Sequence, residues 1–202
     1  PFLTPRASHD SETLNTFKAE GADDVAEAVA ACPSRLAMPL IETAGGMSRI
    51  DEIARTGGVT RLALGHIDLQ ADLGMACGED EAELAPARWT MVVASRRAGL
   101  VAPVDGVTVS TSDFEAMRRD ALRSRRYGFR AKLCIHPAQV PHLHAALSPT
   151  EQELAWALRV LKARDVAAGG AFSIDGKMVD APVIRIAEQF LLTSSMGSTS
   201  TT

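Results

Sequence analysis

The chain has 202 residues, 46% of them hydrophobic and 23% charged, with a formal net charge of −4. That composition belongs to a globular protein with a real core, in one large domain or two small ones, and excludes wholesale disorder. The acidic balance gives no general attraction to nucleic acid or anionic membrane, and no apolar run approaches the roughly eighteen residues a membrane span needs.

In chain order, "PFLTPRASHDSETLNTFKAEG" is polar, rich in Pro, Ser and Thr, and reads as a loop or arm. A helical pattern over Asp23–Ala31, with Val25, Ala28 and Val29 on one face, ends before Pro33. Leu36–Ile41 reads as a fully buried strand. A short helix follows through Met47, Ile50, Ile53 and Ala54 and stops before Gly57 and Gly58. The unit then repeats: a strand at Arg61–Leu64, and a helix from Pro86 to Gly99 with proline first and glycine last. A third strand is expected at Val101–Val104. The helix after it carries a Ser112–Glu115 capping box. "AKLCIHP", residues 131 to 137, reads as the next strand. "SPTEQELAWALRVLKA" then opens on a second box, Ser148–Glu151, with an apolar stripe of Leu154, Ala157, Leu158 and Leu161.

Buried strands alternating with helices predict a parallel sheet in an α/β fold, either open and doubly wound or part of a (β/α)₈ TIM barrel. A barrel takes about 250 residues. With four βα units visible, the chain reads as the later half of a barrel, shortened at its N-terminal half. Residues 1–147 form the barrel domain in this reading, and 148–202 a C-terminal helical extension and tail.

Carboxylates close two of the expected strands. Glu42 ends "AMPLIE" and Asp68 ends "RLALGHID" one repeat later, so both should leave the same carboxyl-end rim, where α/β folds bind ligands. Adjacent parallel strands lie about 4.8 Å apart, so two such groups can share one ion. Two hard oxygen ligands beside water suit Mg²⁺. Each carboxylate alone reads at least as readily as a solvated loop residue or a helix cap. Their spacing narrows that alternative without removing it.

"PLIETAGG", "LALGHIDLQADLG", "GFRAKLCIHPAQV", "LSPTEQELAWA" and "DGKMVDAPV" stand in the order and spacing that resemble the citrate lyase beta-subunit and malyl-CoA lyase-like (HpcH/HpaI aldolase) family. The resemblance covers roughly residues 18 to 192. It implies a pyruvate-kinase-like barrel, homo-oligomeric as a trimer or hexamer, that cleaves or forms short 3-hydroxyacyl-CoA thioesters with Mg²⁺. The expected ligands are an acyl-CoA and a small 2-oxo or hydroxy acid. The resemblance also implies that Glu42 and Asp68 bind the metal, and that Asp180, on a segment reaching a neighbouring subunit, is the acid/base group. From spacing alone "DGKMVDAP" is a turn at Asp175-Gly176 followed by a helix cap at Asp180. The family's substrate-holding arginine has no match here, Arg6 being the only arginine before the matched region. Thioester hydrolysis on the same scaffold, or a truncated non-catalytic oligomerisation or regulatory homologue, are the alternatives.

Other residues carry less. His136 ends a strand on the same rim and could touch a cofactor, or serve as a hydrogen-bonded structural histidine. Lys132 could hold a CoA phosphate, or only snorkel. His66 and Asp72 flank Asp68, and Asp72 reads as a turn or cap residue. Arg118, Arg119, Arg123, Arg125 and Arg126 form a basic cluster without interleaved aromatics, read as a solvated face. Gly169-Gly170 lacks a dinucleotide-site context. Cys32, Cys77 and Cys134 fit no disulfide or zinc pattern and read as small core residues in a reduced compartment. With no visible secretory signal the expected location is the cytoplasm, and the start at Pro1 reads as a processing boundary.

Overall fold

The computed structural model describes residues 14–166 and 171–197, with side chains described as far as 194. The arm before Leu14, Arg6 within it, Gly169-Gly170 and the tail beyond Gly197 lie outside the described residues. The chain divides into two compact units, Pro1–Leu143 and His144–Thr202.

The first unit holds a five-stranded sheet of β1 (Leu14–Lys18), β2 (Leu36–Ile41), β3 (Ala63–Leu64), β4 (Val104–Asp105) and β5 (Ala131–Lys132). All four neighbouring pairs are parallel, and the spatial order is the chain order. The connections carry α1 (Ala22–Ala31), the pair α2 (Ala44–Ser48) and α3 (Ile50–Arg55), then α4 (His66–Leu73) and α5 (Ala85–Arg97), and finally α6 (Phe114–Tyr127). A doubly wound sheet reverses its strand order at a switch point. This one runs straight from β1 to β5 among the described residues, and it is not closed.

Alternation along β2 sorts the two faces. Ala37 and Ile41 join Val25, Ile53, Leu69, Leu84 and Met91 in the core under the helices. Met38 packs on the other face with Ala63 and Val104, beside Leu40, Ala131 and Leu133. Burying each such aliphatic side chain is worth about 1.5–3 kcal/mol, so a one-residue slip of β2 would exchange two cores at once.

Several expectations are corrected. The expected loop contains β1, an edge strand whose Phe17 packs on the helix-side core while Leu14, Thr16 and Lys18 face away. Two apolar residues in five were too few to signal a strand. The helix expected through Met47–Ala54 is two pieces, broken at Arg49, which ends α2 and begins α3. The strand expected over 131–137 pairs only at Ala131 and Lys132. Beyond it the Gln139 side chain accepts the N–H groups of Ile135 and His136, and Pro137 has none to offer. Asp113, not Ser112, caps α6 by accepting from Ala116 N. The second capping box is Thr150–Glu153, each side chain accepting from the other's backbone N–H.

After α7 (Gln139–Leu147), the second unit comprises α8 (Glu151–Val166), the antiparallel hairpin β6 (Phe172–Ile174) and β7 (Lys177–Val179), and α9 (Ala181–Gly197). Asp175 and Gly176 both have positive φ, 53° and 74°, as a two-residue hairpin turn requires. Ala157, Val160, Val179 and Ala187 are its buried core.

Candidate metal centre

Glu42 follows Ile41 directly and is the first residue beyond β2. Its parity with Met38 and Leu40 sends its side chain to the face away from the helices. Asp68 is not a strand end, as expected, but lies in the first turn of α4, four residues past Leu64. A helix begins at once because the turn from β3 is only Gly65 long. That first turn favours a carboxylate through the helix dipole.

Gly65 makes the meeting possible. A Cβ there would stand 2.6 Å from Glu42 Cβ and 2.8 Å from Glu42 Oε2, closer than atoms approach. Glu42 therefore lies across a bare backbone, with Asp68 close enough for its negative charge to raise the Glu42 pKa. A glycine inside an apolar strand pattern was the available signal for this close approach.

Burial raises the Glu42 carboxyl above its ordinary value; the negative charge of Asp68 adds to this, and Lys18 opposes it. Lys18 Nζ stands 3.9 Å from Glu42 Oε1 and 3.4 Å from Glu20 Oε1. Two carboxylates crowded this way repel unless a cation or proton lies between them. Among the described residues no group of three or more His, Cys, Asp or Glu gathers as a metal cluster. A two-carboxylate donor set fits Mg²⁺, which commonly takes one or two carboxylates and keeps water for its other positions.

Asp72, one turn beyond Asp68, accepts a 2.7 Å hydrogen bond from Ala44 N, two residues past Glu42. Expected as a local turn or cap residue before Leu73-Gly74, it lies instead in the last turn of α4 and ties that helix to the Glu42 loop. Thr43, buried between them, caps α2 by accepting from Gly46 N.

A second cluster lies beside the first and had no sequence signal. Asp105, the last residue of β4, accepts from Arg88 Nε at 3.1–3.2 Å, from Ser124 Oγ, and from Gly106 N at 2.9 Å. Arg88, fully buried, also donates to Glu81, a non-glycine residue with φ of 48°. Burial opposes ionisation of Asp105, yet Arg88, Lys132, Ser124 and Gly106 together hold its carboxyl below the usual range. Arg123, expected on a solvated face, is buried here. Its Nη2 is 2.9 Å from both Glu81 and Asp120, in ion pairs whose angles are not those of hydrogen bonds. Arg119 pairs with Glu79 at the surface.

His66 is 2% exposed, and burial lowers its pKa despite Glu81 at 3.6 Å. Lys132, at the end of β5, is turned inward, its ammonium donating to Gly106 O at 2.6 Å and Val107 O at 3.2 Å. Burial lowers its pKa against the pull of Asp105. His136 is exposed, its Nδ1 accepting from Ala138 N. Gln139, fully buried, holds the β5–α7 loop to the β4–α6 loop through Ile135 N, His136 N, Thr108 O and Ser110 O. In the second unit, Asp180 Oδ1 accepts from Val183 N at 3.4 Å, as the cap of α9. The three cysteines are free and half-buried.

Residues 14–137 match the model of the HpcH/HpaI aldolase/citrate lyase family. The chain is 35% identical over 184 residues to a citrate lyase subunit beta-like protein of Mycobacterium tuberculosis, covering 89% of this chain and 65% of that one. It is 32% identical to a (3S)-malyl-CoA thioesterase of Cereibacter sphaeroides, over 86% of this chain and 62% of that one. The chain thus spans under two thirds of the length of either relative. The crystal structure of CitE from M. tuberculosis in complex with magnesium, acetoacetate and coenzyme A superposes with a TM-score of 0.78 at 34% identity, over 89% of this chain and 68% of that one.

Proposed function

The chain belongs to the HpcH/HpaI aldolase/citrate lyase family, and from that premise we propose a Mg²⁺-dependent carbon–carbon lyase. Its substrate would be a short 3-hydroxyacyl-CoA of citryl, malyl or citramalyl type, cleaved to acetyl-CoA or a homologue and a 2-oxo acid. The observation that carries this reading is the Glu42–Asp68 carboxyl pair at the sheet's carboxyl end. The magnesium-bound relative supports the choice of ion.

The straight parallel strand order supports a (β/α)₈ barrel of which residues 1–147 carry the later strands, with 148–202 as the C-terminal extension. Glu42 and Asp68 would hold Mg²⁺, and the ion would supply Lewis-acid stabilisation of charge developing on the acid's oxygen atoms. Asp180 would hold the proton exchanged with the acetyl carbon as the carbon–carbon bond breaks or forms. It would do so in a homo-oligomer, trimer or hexamer, where the extension meets a neighbouring copy. His136, which is exposed, would touch the CoA moiety. Lys132 would act from behind it, since its ammonium is already spent on the β4–α6 loop carbonyls.

The thioesterase relative favours a second reading, hydrolysis of the same thioester. Product analysis on malyl-, citramalyl- and citryl-CoA with Mg²⁺ separates the two. Acetyl-CoA with an oxo acid is the expected outcome; free CoA with an intact hydroxy acid would replace the lyase by the hydrolase.

A further inference from the structure

The register of the edge strand puts a cation where no role has been assigned. Lys18 is the Cα partner of Leu40, and Glu42 lies two residues beyond Leu40, so all three side chains leave the sheet on one face. The distances agree: Lys18 Nζ is 3.9 Å from Glu42 Oε1. We propose that Lys18 receives the carboxylate of a small 2-oxo or hydroxy acid beside the Glu42–Asp68 pair, an inference that rests on the metal reading above.

Three observations carry it. The Lys18 side chain is 52% exposed, so its ammonium is open to a ligand. Its partners hold it loosely, because Glu20 at 3.4 Å is itself 43% exposed and Glu42 lies beyond hydrogen-bond length. Glu42 also serves two masters. A divalent ion on Glu42 and Asp68 would claim the carboxylate that now attracts Lys18 and repel the ammonium as a like charge. The ammonium then needs another anion, and a carboxylate ligand of the metal is the nearest source. Its three rotatable donors on a flexible stem suit a small carboxylate approached from one side. Lys132, by contrast, donates inward to two carbonyls and offers nothing to this face.

Sequential calorimetric titrations of the full 202-residue chain test the proposal. Mn²⁺ is added first, as a probe of the carboxylate pair, and pyruvate second, to the Mn²⁺-loaded protein. Lys18→Met is expected to bind Mn²⁺ as tightly as the wild type or more tightly, since a like charge has gone. Its pyruvate affinity should fall about tenfold or more, the usual worth of one charge-assisted contact, and Lys18→Arg should restore most of it. Lys18→Gln keeps a polar stem and makes the same comparison if Lys18→Met does not fold. Pyruvate binding within about twofold of wild type in the uncharged variant overturns the role of Lys18 while leaving the metal site intact. A wild-type chain that takes up no Mn²⁺ overturns the metal reading at the first titration, and this inference with it.

Discussion

Two charged clusters stand on one rim of the same sheet and solve opposite problems. Around Asp105 every charge has a counter-charge: Arg88 faces Asp105 and Glu81, Arg123 faces Glu81 and Asp120, and Lys132 and Ser124 complete the set. Around Glu42 two carboxylates face each other, and the nearest ammonium stays 3.9 Å away. The first cluster is buried and balanced in charge, and it fixes loops. The second is crowded, open and short of positive charge, which is what a site awaiting a cation needs. The Asp105 carboxyl is held below its ordinary value and that of Glu42 above its own, so one sheet keeps both kinds of acid.

The sharpest way to break this contrast is to unpair the balanced cluster. Arg88→Met leaves Asp105 buried without its main partner, and should cost about 3–5 kcal/mol in urea unfolding, the usual penalty for one stranded buried charge. Asp105→Asn should lose a comparable amount at neutral pH. Because the folded-state pKa of Asp105 is depressed from its ordinary 3.8, its contribution is fully present above that value. It is lost as pH falls through the lower, folded value. The gap in unfolding free energy between wild type and Asp105→Asn should therefore narrow below about pH 4. A gap that stays constant into acid would show that Asp105 is not an ionised partner.

Gly65 joins the two clusters' logic through space instead of charge. Gly65→Ala places a methyl where Glu42 Cβ and Oε2 now lie. Overpacking of this kind costs about 1–3 kcal/mol. Because the displaced group is Glu42 itself, Mn²⁺ affinity should fall by about tenfold or more alongside the stability. An alanine variant that binds Mn²⁺ as the wild type does would mean the carboxyl pair tolerates being pushed apart.

How far the sequence carries a reader depends on the range of each signal. β2 was legible to the residue, because Leu36–Ile41 is one uninterrupted apolar run. The hairpin turn at Asp175-Gly176 and the cap at Asp180 were legible because both are local chemistry. β1 was not, since an edge strand with one half-covered face has little apolar pattern to show. Asp68 was assigned to the wrong element, because the single-residue turn at Gly65 made a strand and a helix read as one strand. The Arg88–Asp105 cluster was invisible for a different reason. Asp105 is seventeen residues from Arg88 and nineteen from Ser124 and meets them only through folding, and Arg123 looked like one more surface arginine until Glu81 and Asp120 enclosed it. Lys18 escaped notice because its meaning comes from register with Leu40, a cross-strand fact.

The smallest expected change in stability falls on the residue of greatest proposed importance. Glu42→Gln keeps the shape of the side chain and removes a charge the fold opposes, so without metal the variant should unfold within about 0.5 kcal/mol of the wild type at neutral pH, or be slightly more stable. The sign follows from linkage. A carboxyl whose folded-state pKa is raised above its ordinary 4.5 binds more protons folded than unfolded, and wild-type stability falls as pH rises through that window. The amide does not titrate, so in chelator-treated protein the variant should gain on the wild type as pH rises above about 4.5. With Mn²⁺ or Mg²⁺ added the order should invert, because only the wild type can offer two carboxylates and be stabilised by the bound ion. If Glu42→Gln instead destabilises the metal-free chain by several kcal/mol, Glu42 belongs with Asp105 as a structural charge, and the difference between the two clusters disappears.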